Sequence, residues 1–99
     1  MGEGEEGFGS PMRPIVVEFR PGVEKVLKKI DNKNRERIAA AIELLRFNPI
    51  PPNAIRLSGE QSYRIRIGDY RVIYTYEGRK LLITVIHLGH RREIYRNKN

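Results

Sequence analysis

Tyr63-Arg64-Ile65-Arg66-Ile67-Gly68-Asp69-Tyr70-Arg71-Val72-Ile73-Tyr74-Thr75-Tyr76-Glu77-Gly78 is the stretch that decides the fold. Apolar and basic residues alternate from Tyr63 to Ile67, the period of a strand with one buried and one solvated face. Gly68-Asp69 reads as a tight hairpin turn. Tyr70 to Tyr76 is rich in β-branched and aromatic residues and predicts the returning strand. Glu77-Gly78 signals a second turn. Beyond it, Leu81 to Leu88 is almost continuously apolar. That run predicts a central strand buried on much of both faces, ended by Gly89-His90. Connections this short make the three strands antiparallel.

Toward the N-terminus the period changes from 2 to about 3.6. Val23, Val26, Leu27 and Ile30 recur at i, i+3, i+4 and i+7, one face of a helix, with Lys25, Lys28 and Lys29 on its other faces. Asp31-Asn32 interrupts, and either residue can cap the next helix. Ile38, Ala41, Ile42 and Leu45 form a second stripe around the strong helix former Ala39-Ala40-Ala41. Asn48-Pro49-Ile50-Pro51-Pro52 stops it, because proline has no donor N–H and disfavours helix in the residue before it. Ile15-Val16-Val17-Glu18-Phe19 reads as a first strand, broken by Pro21-Gly22. The fold class is therefore α+β: an N-terminal strand, a helical hairpin, then an antiparallel sheet of three or more strands with the helices on one face.

The chain has 99 residues, enough for one domain, with 19 Lys+Arg against 12 Asp+Glu and a net charge of +7. Residues 1–12 contain Glu3, Glu5 and Glu6, no basic residue, and Phe8 as the one large apolar residue before Met12. Such a segment cannot bury enough surface to fold. We read it as a disordered leader or tag, with 13–99 as the single domain and Met12 as the native start. From Met12 onward the balance is 19 basic against 9 acidic, or +10. Of this, the 44 residues from Arg56 carry +6, with 10 Lys+Arg and 4 Asp+Glu. A field of that size favours a polyanionic partner, RNA or DNA first. The chain has no cysteine and two histidines, which excludes disulfides, thiolate chemistry and a convincing zinc site. It also lacks a glycine-rich phosphate loop, an apolar run of about 20 residues that could span a bilayer, and a basic-then-apolar leader. The expectation is a cytoplasmic protein with no cofactor, metal or membrane partner.

Strand alternation puts Arg64 and Arg66 on one face, their Cβ atoms about 7 Å apart. The turn at Gly68-Asp69 brings Arg71 beside Arg66. Three guanidiniums then share a patch, and the planar guanidinium fork matches phosphate oxygens. A solvated polar face is the commoner fate of such charges. After the apolar run, Gly89-His90-Arg91-Arg92-Glu93-Ile94-Tyr95 supplies an imidazole, two guanidiniums and a phenol. His90 is the acid/base candidate near neutral pH, and Tyr95 can stack on a base or hold a hydroxyl. His87, inside the apolar run, reads as a structural histidine. Tyr70, Tyr74 and Tyr76 share a strand face and read as core.

Leu57-Ser58-Gly59, Tyr63-Arg64-Ile65-Arg66, Gly68-Asp69-Tyr70-Arg71-Val72-Ile73-Tyr74 and Leu88-Gly89-His90-Arg91-Arg92-Glu93-Ile94-Tyr95 together resemble the RelE family of toxins, within the RelE/ParE superfamily. The resemblance runs from about Met12 to Tyr95. It implies a RelE-like α+β fold, a RelB-type antitoxin partner, and a metal-independent mRNA endonuclease (an mRNA interferase). Such an enzyme acts in the ribosomal A site against 16S rRNA and inhibits translation. In that family the ribose 2′-OH attacks the adjacent phosphate, leaving a 2′,3′-cyclic phosphate and a 5′-OH. By position, Arg64 and Arg66 match the family's basic pair, Arg71 its transition-state arginine, Arg91 its basic residue after the last strand, and Tyr95 its terminal tyrosine. Arg56, Arg92 and Arg96 are the further RNA-binding candidates. Some members carry lysine in the basic pair, and lysine can lose its proton where arginine effectively cannot. His90 is accordingly the candidate general base, adjoining Arg91. A ParE-like DNA gyrase inhibitor and a non-catalytic RNA-binding or attenuated toxin stay open as alternatives.

Overall fold

The structure, a computed structural model, describes residues 15–58 and 61–90. The leader assigned to residues 1–12 lies outside them. The chain runs β1 (Val16–Phe19), α1 (Pro21–Lys29), α2 (Asn32–Leu45), β2 (Ile55–Arg56), β3 (Ser62–Ile67), β4 (Tyr70–Glu77) and β5 (Leu82–His90). The five strands form one sheet in the order β1-β5-β4-β3-β2. β1 lies parallel to β5, and every other pair is antiparallel. The α+β reading stands, with one strand more than the periodicity shows. β2 has two residues, too short for a period-2 signal.

Pro21-Gly22 follows β1 directly and opens α1. Proline at the first helical position gives up an N–H that would be unsatisfied there anyway. Glu24 in the first turn and Lys28 and Lys29 in the last complement the helix dipole. Val23 and Ile30 are buried, and Val26 and Leu27 pack partly against the core. Asp31 is the N-cap of α2: its carboxylate accepts from the Asn34 backbone N–H at 3.2 Å and from the Asn34 side-chain amide at 2.9 Å. These bonds hold the carboxyl below its usual pKa. Ile38, Ile42 and Leu45 of α2 are buried, as the stripe predicts. Arg46 Nε then donates to the Ile15 carbonyl at 3.0 Å, tying the end of α2 to the start of β1.

The sheet face toward the helices carries Tyr63, Ile65, Val72, Tyr74, Ile83, Val85 and Leu88, all buried. Full burial of one such aliphatic side chain contributes about 1.5–3 kcal/mol. Tyr74 is completely buried, and its hydroxyl donates to the Pro49 carbonyl at 2.7 Å, pinning the proline-rich loop to the sheet. Burial, with a smaller contribution from neighbouring Tyr63, pushes its pKa up to about 12.

β5 departs from simple alternation. Its partners on β4 run from His90 opposite Tyr70 to His87 opposite Ile73, then jump to Val85 opposite Tyr74. Ile86 is the extra residue of a β-bulge. Ile83 and Val85 face the helices before it, and Leu88 and His90 face them after it. Gly89-His90 therefore belongs to the strand rather than ending it, because β4 reaches back to Tyr70 and pairs with both.

Candidate functional site

The opposite face of the sheet holds the arginines in rows fixed by the strand register. Arg66 lies directly across from Arg71, and Arg71 across from Gly89. In the next row Arg64 lies across from Ile73, and Ile73 across from His87. Directly opposed residues have Cβ atoms about 4.5–5.5 Å apart. Gly89 adds no side chain to its row. Arg66 is exposed, Arg64 half-buried and Arg71 buried at 9% exposure.

The Gly68-Asp69 turn sets this arrangement. Gly68 has φ +60 while Asp69 keeps a negative φ, the pattern of a II′ hairpin turn. Arg66 Nε donates to the Gly68 carbonyl at 3.1 Å, which folds that side chain back over the turn. From α2, the Arg37 guanidinium reaches the same glycine: a Cβ built there would lie 3.7 Å from its Nη1. Ion pairs among the described residues join Arg46 to Glu43 and Lys80 to Glu77, and neither involves Arg64 or Arg66. Among the described residues, the strand acids of this face are Glu18 and Glu77, toward its other end, and Asp69 stands in the hairpin turn. The arginines of this face thus cluster toward the hairpin, and Glu77 at the other end is paired with Lys80.

The structure brings together Arg64, Arg66 and Arg71 and leaves two other candidates off their face. His90 lies opposite Tyr70 on the helix side, its ring edge-on to the Tyr70 ring with centroids 5.5 Å apart. Arg56 is exposed on the edge strand β2, in register with Tyr63, which also puts it on the helix side. Arg91, Arg92, Tyr95 and Arg96 lie outside the described residues. His87, which the sequence reads as structural, is turned by the bulge onto the arginine face. Nothing in the run Leu81 to Leu88 marks Ile86 as the extra residue, since Ile86 and Leu88 are equally apolar. The approach of Arg37 to the turn has no sequence signal either, since no helical period marks a contact with a distant turn. The tyrosine reading stands for Tyr74, which is core, and for Tyr70 and Tyr76, which pack against it.

Comparison with known proteins defines the class. Residues 17–95 match the family described as the ParE toxin of type II toxin–antitoxin systems. A Methanocaldococcus jannaschii protein named RelE1 is 34% identical over 85 residues, covering 82% of this chain and 94% of that protein. The archaeal RelE of the Pyrococcus horikoshii OT3 RelE–RelB complex superposes with a TM-score of 0.70 at 26% identity, covering 80% of this chain and 97% of the other. RelE of the Methanococcus jannaschii RelB–RelE complex gives 0.65 at 28%, covering 81% and 96%. The chain belongs to the RelE/ParE family of type II toxin–antitoxin toxins and has the RelE-like fold.

Proposed function

We propose that the chain is a ribosome-dependent mRNA endonuclease that holds its substrate on the arginine face and is inhibited by a RelB-type antitoxin in the cytoplasm. The observation that carries this is the register that sets Arg66 against Arg71 with Arg64 one row away. Arg91 and Tyr95, which follow β5 in the chain, complete the set in this reading, with Arg92 and Arg96 as further RNA contacts.

The chemistry requires a 2′-oxygen nucleophile, a pentavalent phosphorane and a 5′-oxygen leaving group. The transition state gathers a second negative charge on the phosphoryl oxygens. Guanidiniums stay charged at any working pH and present two parallel donors, so their contribution is electrostatic and strengthens as the charge develops. Losing one such contact costs about 10²–10³ in rate. In-line alignment of a single strand is a matter of positioning, which the ribosome can supply where a small toxin surface cannot. The RelE–RelB complexes of the relatives support an antitoxin partner for this chain as well. An acidic, wrapping partner would complement and mask the arginine face.

The test is to induce the chain and map mRNA ends in ribosome-bound and free RNA. Cuts within translated codons that disappear with Arg71→Ala, in a protein that still folds and still binds its antitoxin, support the reading. Undiminished toxicity of Arg71→Ala sinks the role of the arginine face. The ParE description of the matched family favours a second reading, a gyrase poison. Broken chromosomal DNA with intact mRNA would establish it.

A further inference from the structure

We propose that His87 is the proton-transfer group of the arginine face, taking the 2′-hydroxyl proton of the RNA strand that the arginines hold. The inference rests on the reading that this face binds and cuts RNA. Of the two histidines, the bulge at Ile86 puts His87 with the arginines and His90 with the core. Without the bulge, strict alternation from Val85 would reverse the two.

The surroundings of His87 suit the role. It is half-buried, so its ring can meet a substrate without being fully desolvated. Arg71 lies diagonally across on β4, at a residue separation of about 7–8 Å that long side chains bridge. Arg64 on β3 flanks Ile73 from the other side, two strand spacings or about 10 Å away. Arg20, ahead of α1, lines with His87, Val23, Val26 and Ile86 a groove of about 310 Å³ that opens beside the strand. Glu18 on β1 pairs with Thr84, beyond the bulge. Among the described residues, cations therefore stand around His87 on β3, β4 and ahead of α1, and Glu18 and Glu77 lie further along the strands. Among the described residues no hydrogen bond holds the ring, so it has no structural partner there to give up. A phosphate gripped by Arg64 and Arg71 would sit between the two rows, with the 2′-hydroxyl of its ribose toward the imidazole.

The step balances without a co-reactant. The neutral imidazole takes the proton from O2′, and O2′ bonds to phosphorus as the P–O5′ bond breaks. The electron pair leaves on O5′, which takes a proton from water, and the imidazolium neutralises the hydroxide left behind. The products are a 2′,3′-cyclic phosphate and a 5′-hydroxyl. No arginine of the face can accept that proton at neutral pH, whereas an imidazole can.

Two measurements on the full chain test the proposal. His87→Gln should slow ribosome-dependent mRNA cleavage by about 10²-fold or more, with folding and antitoxin binding retained, and should cost clearly more than His90→Gln. In histidine-labelled protein, a single-stranded oligoribonucleotide carrying 2′-O-methyl groups, which cannot be cut by this route, should shift the ring signals of His87 and leave those of His90 nearly in place. A wild-type rate in His87→Gln, or shifts confined to His90, overturns the proposal while the endonuclease reading stands. A wild-type chain that cuts no RNA, with or without ribosomes, overturns the endonuclease reading and this proposal with it.

Discussion

On the helix side of the sheet, Tyr63, Ile65, Val72, Tyr74, Ile83 and Val85 are packed to 8% exposure or less. On the other side, the same strands β3, β4 and β5 carry Arg64, Arg66, Arg71 and His87, graded from buried to exposed. Both faces are built by one rule, the alternation of side chains along a strand. They differ in what an error costs. A slip of one residue in β3 would turn Arg64 and Arg66 inward and Tyr63 and Ile65 outward, and one in β4 would turn Val72 and Tyr74 outward, so the register of those strands is tightly specified. β5 is apolar on both parities over most of its length, so neither parity penalises a one-residue shift there. The bulge falls in that permissive strand, and it decides which histidine joins the arginines.

The comparison predicts the largest effect for a core substitution in β5. Ile83 is fully buried between Val17 of β1 and Tyr76 of β4. Ile83→Ala should destabilise the fold by about 2–5 kcal/mol, read as a lower denaturation midpoint with an unchanged slope. The activity of each folded molecule should hardly move. A loss below 1 kcal/mol would mean that the strand repacks freely, and that the two faces are less distinct than the burial implies. Tyr74→Phe probes the same face more gently. Losing the hydroxyl bonded to the Pro49 carbonyl should cost about 1–3 kcal/mol, because that acceptor is left without its partner. A second signature follows from the raised pKa. A phenol at about 12 in the folded protein and near 10 unfolded contributes stability that is whole below pH 10 and lost as pH rises from 10 to 12. Tyr74→Phe should flatten the alkaline limb of the stability curve. An unchanged limb would assign it to another group.

Much of this was legible in the sequence, for a physical reason that also sets the limit. Tyr63 to Ile67 alternates a tyrosine and isoleucines with arginines, so its period identifies both the strand and the face that carries Arg64 and Arg66. The stripes of α1 and α2 are legible in the same way. Arg71 follows from the turn, because a two-residue connection leaves one register for Arg66 and its partner. The parity of β5 was not legible, because an all-apolar run has no period to read. Hence His90, next to the basic tail, is the candidate the sequence offers, and His87 reads as a structural histidine. Pro21-Gly22 ends the strand as its residues imply, and the same dipeptide also begins the helix, since proline fits the first helical position.

The smallest predicted effect separates the faces most cleanly. Arg66 is exposed, and its one hydrogen bond is to the carbonyl of a turn residue. Arg66→Ala should therefore change stability by no more than about 0.5 kcal/mol, the range of an ordinary surface site. If the outer face holds a single strand by its phosphates, the same variant must weaken oligonucleotide binding at every sequence alike. It must also lower the slope of log affinity against log salt by about 0.7, the share of one phosphate contact on a single strand. Core variants such as Tyr74→Phe must leave that slope where it was, since they remove no cation. A slope unchanged in Arg66→Ala would mean that this guanidinium serves the turn and not a ligand. The phosphate-holding surface would then contract to Arg64 and Arg71, whose side chains are more deeply set in the sheet.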